Sequence, residues 1–388
     1  MRKHFNTTGL CYPKEHYMVD MKERLEEIKV LVGRGEYFAI NRARQYGKTT
    51  TLHQLVKRLC ADYALFSVSF EGIEDEVYRS ADTFCRRFCR LLYKYLLYHE
   101  IAGIPDSLKA QLKQMRDAKM DLEDLSDFIS GLCAGSDKRV VLVIDEVDQA
   151  GNQRIFLTFL GMLRQKFLAR KTEPTFHSVI LAGVYDIKNL KLKVRPETQH
   201  QYNSPWNIAS DFTLDMSFSV QDIVGMLTEY EQDFQTGMDI WTIAGILYEY
   251  TSGYPFLVSW LCKIMDENMY RDAAPGHTPI WTKDGVTEAV KVLLGESNTL
   301  FDDMVKKMDD FPELRRTLYA ILFNGERISY SASNHIINLG IMFGFLKEDQ
   351  ESIAVSNRIF EMRLYNLFLS EELLDSAMYR YAAYRRYY

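Results

Sequence analysis

Ala39-Ile-Asn-Arg-Ala-Arg-Gln-Tyr-Gly-Lys-Thr-Thr50 is the stretch on which the reading of this chain turns. It opens in a short apolar run, Tyr37-Phe-Ala-Ile40, that reads as a buried strand, and it leads into helical spacing from Thr49 to Leu59. A strand, a tight polar turn and Gly-Lys-Thr opening a helix is the layout of a phosphate-binding P-loop. Backbone N–H groups of the turn and of the helix N-terminus point at the β-phosphate, where the helix dipole also favours negative charge. Gly47 lets the backbone come close, Lys48 reaches the β- and γ-phosphates, and the Thr49 hydroxyl ligates Mg²⁺. Arg44, Gln45, Tyr46 and Thr50 complete the candidate nucleotide-binding set. In the nucleotide-free protein Lys48 is expected to point into solvent. One position departs from G-x-x-x-x-G-K-[ST]: the first glycine falls on Arg42. Either Arg42 makes the turn without a glycine or the turn differs.

A lone Gly-Lys-Thr occurs by chance, so the second half of the site decides. Arg139-Val-Val-Leu-Val-Ile144 is unbroken, β-branched and too apolar to be solvated on either face. It runs into Asp145-Glu146, which sets two carboxylates at the C-terminal end of a buried strand, where open parallel sheets bind ligands. Asp145 is the candidate Mg²⁺ residue beside Thr49. Glu146 is the candidate base that takes a proton from attacking water, with Lys48 as its catalytic partner. ATP or GTP binding follows.

Outward from these motifs, strands read at Ala64–Phe70 and Phe176–Ala182, and helices at residues 15–34, 80–99, 122–132 and 156–171. Buried strands alternating with helices give an α/β fold: a P-loop parallel sheet with helices on both faces. After about residue 215 the strands stop. Residues 219–295 read as all-helical, with Ser252 as cap and Pro255 at the first turn of an apolar helix, Phe256 to Met265. Two helical patterns, Leu314–Leu322 and Ser333–Phe343, then precede two short strands around an acidic turn and a helix from Arg358, the outline of a winged helix. The expected division is an arm and helix over 1–35, a core over 36–215, a helical lid over 216–295, a winged-helix-like domain over 296–372 and a Tyr/Arg-rich tail over 373–388.

The chain has 388 residues, 47% hydrophobic and 26% charged, which excludes wholesale disorder and allows two or three domains. With a net charge of −6, nucleic-acid binding is possible but unsupported by charge. Across 296–372 basic residues do not outnumber acidic ones. No apolar run reaches membrane-span length, and the N-terminus has no apolar leader. Six scattered cysteines, mostly in helical apolar patterns, read as buried reduced thiols and the eight histidines show no metal spacing, so a cytoplasmic protein is expected.

Ala43-Arg-Gln-Tyr-Gly-Lys-Thr-Thr50, Val143-Ile-Asp-Glu-Val-Asp148, Ser178-Val-Ile-Leu-Ala-Gly-Val184, Ser204-Pro-Trp-Asn-Ile-Ala209, Thr251-Ser-Gly-Tyr-Pro-Phe-Leu-Val258 and Asn357-Arg-Ile-Phe-Glu-Met-Arg-Leu-Tyr-Asn366 fall in one order. Together they resemble the bacterial AAA-like ATPases, in the additional-strand P-loop class near the STAND and archaeal-type ATPases. Members of that family often have Ala-Arg-Gln before the glycine and lack the first one, as here. The resemblance implies an ATP-dependent switch with P-loop core, helical lid and winged-helix unit. Longer relatives often continue into a PD-(D/E)xK nuclease domain. No matching Asp…Glu-x-Lys pair follows residue 372, so nuclease activity is not carried over, and an output domain or a separate protein partner is expected.

Smaller features keep two readings each. Arg44 contacts phosphate or pairs with an acid to hold the loop, or it is simply solvated. Tyr185 and Asp186 come slightly late for a γ-phosphate sensor after Leu181-Ala-Gly183. Arg164 and Arg170 are arginine fingers for a neighbouring subunit, should the protein oligomerise, or exposed helix charges. The Gly253–Pro255 corner contacts phosphate or is structural. The tail 376–388, three arginines among five tyrosines, stacks on single-stranded nucleic acid or packs on the body. Two functions compete: an ATPase switch, and a nucleotide-bound adaptor with little turnover.

Overall fold

The computed structural model describes residues 2–150, 153–184, 215–270 and 280–375. Ser204–Ala209, Tyr185, Asp186, the loop at 273–277 and the tail 376–388 lie outside them. Contacts gather the described chain into two compact units. One holds residues 21–42, 48–150, 153–184 and 215, the other residues 2–20, 43–47, 216–270 and 280–375. Residues 1–35 thus divide between the units, and residues 43–47 group with the C-terminal residues.

The first unit is built on a parallel sheet. In chain order it runs α1 (Lys22–Gly33), β1 (Tyr37–Asn41), α2 (Lys48–Leu59), β2 (Ala64–Ser69), α3 (Ala81–Tyr98), α4 (Asp106–Met115), α5 (Leu122–Gly135), β3 (Val140–Asp145), α6 (Arg154–Ala169) and β4 (Ser178–Gly183). The strand order is β1-β4-β3-β2, all parallel. β4 therefore stands between the strand that feeds the phosphate loop and the strand that ends on Asp145, the additional strand that the resemblance implies. Every residue of β3 and β4 is buried, which is why both read as unbroken apolar runs instead of alternating ones. Val140, Leu142 and Ile144 join Phe84, Phe88, Phe128, Phe156 and Phe159 from α3, α5 and α6 in one core. Val141 and Val143 fall on the other face by strand alternation and are as fully buried. α2 packs on β2, and α1 on α2.

The second unit runs α7 (Val220–Phe234), α8 (Ile240–Thr251), α9 (Pro255–Lys263), a π-helical turn (Ile264–Tyr270), α10 (Lys283–Gly295), α11 (Thr299–Asp310), α12 (Pro312–Phe323), α13 (His335–Met342), β5 (Leu346–Asp349), β6 (Ser352–Val355) and α14 (Arg358–Asp375). β5 and β6 pair antiparallel around an acidic turn, and Asn357 caps α14 by accepting the Phe360 N–H at 2.9 Å.

Three sequence expectations need correction here. The helix expected over 15–34 begins only at Lys22. Residues 4–17 pair backbone to backbone instead, His4 N–H to the Glu15 carbonyl and Tyr17 N–H to the His4 carbonyl, each 3.1 Å. Phe5 and Tyr17 are then buried against Tyr230 of α7 at 5.2 Å, and the Tyr17 hydroxyl donates to Asp233 at 2.7 Å. Ser252 is no N-cap: it takes the left-handed conformation that closes α8, and Tyr254 precedes Pro255 at the start of α9. The cysteines are all free thiols, and while Cys85, Cys89 and Cys262 are buried, Cys60 is exposed. Among the described residues no helix is long and apolar enough to cross a membrane.

Candidate nucleotide site

β1 and β3 end at the same edge of the sheet, and each delivers one half of the expected constellation. The Thr49 hydroxyl, in the first turn of α2, donates to Asp145 Oδ2 at 3.0 Å. Asp145 Oδ1 accepts the Glu146 N–H at 2.9 Å. Lys48 is 7% exposed, which corrects the expectation that it points into solvent: its ammonium donates to the Arg42 carbonyl at 2.9 Å. An unliganded buried ammonium is costly, and a carbonyl at the mouth of the loop offsets that cost. Thr50 is buried beside it. Sequence order alone put Lys48, Thr49, Asp145 and Glu146 in one site, and the fold brings these four together.

The loop resolves the missing glycine. Positive φ falls on Gln45 (59°) and Gly47 (76°), and not on Arg42. The turn thus needs a glycine only at its second position. Gln45 carries the other left-handed residue, an uncommon state for a side chain other than Gly, Asn or Asp.

Side chains at the crest of the loop turn elsewhere. Within the C-terminal unit, Tyr254 Oη donates to the Arg44 carbonyl at 2.6 Å, and the Tyr46 and Tyr254 rings lie 4.3 Å apart. Gln45 Nε2 donates to Thr299 Oγ1 at 2.9 Å, and the exposed Arg44 guanidinium meets Asp303 at 3.5 Å. Arg44 thus meets an acid while most of its side chain stays exposed. Arg170 lies over the Phe167 ring at 3.7 Å, and Arg164 is half-buried.

Sequence reasoning missed Asp148. Its Oδ1 accepts the Val184 N–H at 2.7 Å, just past the end of β4. It is the acid three residues after Asp145 in Val143-Ile-Asp-Glu-Val-Asp148, where no local pattern marks its role. Missed too were Tyr254, Thr299 and Asp303, whose meeting with the loop depends on tertiary packing that no local pattern encodes.

Burial pushes the Asp145 carboxyl above its ordinary range, and this outweighs the Glu146 N–H, Thr49 and Lys48, which all favour the charged form. Burial is also the first cause that raises Glu146, followed by the charges of Asp145 and Asp148. A carboxyl raised on folding costs stability once ionised: the cost is absent at acid pH and appears as pH rises through the raised value. Asp145→Asn keeps the shape and an oxygen acceptor. In nucleotide-free protein at neutral pH it should raise the thermal midpoint, a gain that fades at acid pH. A lowered midpoint would mean that the ionised carboxylate is net stabilising.

A parallel sheet ordered β1-β4-β3-β2, with Gly-Lys-Thr after β1 and Asp-Glu at the end of β3, defines a P-loop nucleotide-binding protein. Residues 15–273 match the AAA-like domain family, and the chain belongs to it. No curated protein sequence matches the chain. Among solved structures, the Walker-type ATPase PABY2304 of Pyrococcus abyssi is similar in fold, with a TM-score of 0.59 at 12% identity, covering 93% of this chain and 99% of that one. RuvB of Thermotoga maritima, a Holliday junction branch migration motor, aligns with a TM-score of 0.41 at 12% identity over 88% of this chain and 93% of its own. Cdc6p of Pyrobaculum aerophilum gives 0.41 at 14% identity, over 90% and 94%.

Proposed function

We propose that this protein is a Mg²⁺-dependent ATPase whose nucleotide state is felt by its C-terminal unit. In this reading Lys48 holds the β- and γ-phosphate oxygens, with the backbone N–H groups of Arg44 to Thr50 around them. Thr49 and Asp145 hold Mg²⁺. The donor set suits that ion, since a hydroxyl and a carboxylate oxygen 3.0 Å apart are the hard oxygen ligands it prefers. Bound there, Mg²⁺ supplies positive charge to the phosphate oxygens. Glu146 takes the proton of a water as its oxygen bonds to the γ-phosphorus and the bond to ADP breaks. Residues 36–215 act as the P-loop core, 216–295 as a lid and 296–372 as a winged-helix-like unit.

One hydrogen bond carries the switch half of this reading, from Tyr254 Oη to the Arg44 carbonyl at 2.6 Å. Tyr254 immediately precedes Pro255 at the start of α9. A loop that turns its N–H groups toward phosphate also turns its carbonyls, and Tyr254 is tied to one of them. Amide hydrogen exchange tests this. ATP with Mg²⁺ is expected to protect residues 253–265 together with the phosphate loop, and ADP to protect them less, because a ligand shifts an equilibrium only by its differential affinity for the two states. Equal protection by both nucleotides, or protection confined to the loop, would leave a static nucleotide-bound adaptor.

A further inference from the structure

β4 ends on Gly183, where an added Cβ would stand 2.1 Å from Asp148 Oδ1. The carboxylate therefore fills the space a side chain would need. The same Oδ1 accepts the Val184 N–H at 2.7 Å, so it covers the last residue of the strand and ties the residue that follows it. On the other side of β4, the Gly183 carbonyl accepts the Arg42 N–H at 3.2 Å, where β1 gives way to the phosphate loop. The Arg42 carbonyl in turn accepts Lys48 Nζ at 2.9 Å. These three hydrogen bonds run from the turn after β3, across the end of β4, to the loop lysine. β4 is the strand that separates β1 from β3, so its end sets the spacing of the two halves of the site.

We propose that Asp148 is a positioning residue: its Oδ1 fixes the end of β4, and through Gly183 and Arg42 it fixes where Lys48 stands relative to Asp145 and Glu146. The effect on nucleotide rests on the P-loop reading of Lys48, whereas the backbone effect does not. What matters is an oxygen acceptor at this place, and Asn supplies one where Ala does not.

The test compares Asp148→Ala, Asp148→Asn and Gly183→Ala in the full chain. Amide exchange is measured without nucleotide, and affinity by titrating a fluorescent ATP analogue with Mg²⁺. Asp148→Ala should speed exchange at Val184 and Arg42 and weaken the analogue's binding, each about tenfold, since a partly buried N–H loses its acceptor. Gly183→Ala, which displaces the carboxylate without deleting it, should give the same pair of losses. Asp148→Asn should stay within about threefold of wild type in both, as the retained acceptor requires. Wild-type affinity in Asp148→Ala, or Asp148→Asn as damaged as Asp148→Ala, would overturn the proposal. So would a general loss of thermal stability with Val184 and Arg42 unchanged. Should wild type bind no ATP analogue, the ATP reading fails, and the two amides alone decide: local acceleration that Asn cures supports positioning, and its absence overturns it.

Discussion

Glu146→Gln should slow steady-state ATP hydrolysis by about 10²–10⁴-fold, the usual loss when a general base is removed, while ATP still binds. Glu146 sits at φ 54°, left-handed backbone that a non-glycine residue occupies only when its surroundings hold it there. Its N–H is anchored to Asp145 Oδ1, and Gln keeps that backbone bond. What changes is proton affinity. Burial and the charges of Asp145 and Asp148 raise the Glu146 carboxyl, making it a stronger base than a solvated glutamate, and an amide offers no comparable site. Phosphate release and analogue titration on the same preparations separate rate from affinity. Equal turnover by wild type and variant would remove Glu146 from the role.

Lys48→Ala should lower ATP affinity by about 10²–10³-fold, the range for truncating one partner of a desolvated charge pair. It should also lower the thermal midpoint. Lys48 is buried and its ammonium holds the Arg42 carbonyl, so the variant withdraws that donor and leaves a gap under the loop. Lys48→Met keeps most of the side-chain volume and should lose affinity equally with less destabilisation. Tight binding of the ATP analogue by either variant would mean that the loop has been misassigned.

What was readable in the sequence was what local chemistry controls. Gly47 to Thr49 opening α2, and the apolar run into Asp145, are each a few residues long and carry their own reason for a strand end or helix start. α4 carries little signal in the sequence because it buries only Leu108 and Leu112 in a polar stretch. α11 does carry a signal: Asn298 accepts the Leu300 and Phe301 N–H groups, and Leu300, Phe301, Met304 and Met308 mark one helical face. Ser252 misled because a serine before Gly-Tyr-Pro resembles an N-cap, while the chain uses it to end the preceding helix. The partners of the loop crest lay beyond reach, since Arg44 and Asp303 meet only through the tertiary fold.

That packing of residues 43–47 with residues 254, 299 and 303 has a consequence for biosynthesis. The loop emerges from the ribosome early and its partners late, so at about 5–20 residues per second its crest stays without its native neighbours for roughly 10–50 s. Nascent chains halted after residue 215 would carry Gly47 to Thr49, Asp145 and Glu146 but not Tyr254 or Thr299. Residues 43–47 meet Tyr254, Thr299 and Asp303 only after the chain has been translated past residue 303, which makes these contacts a late event in the life of the polypeptide.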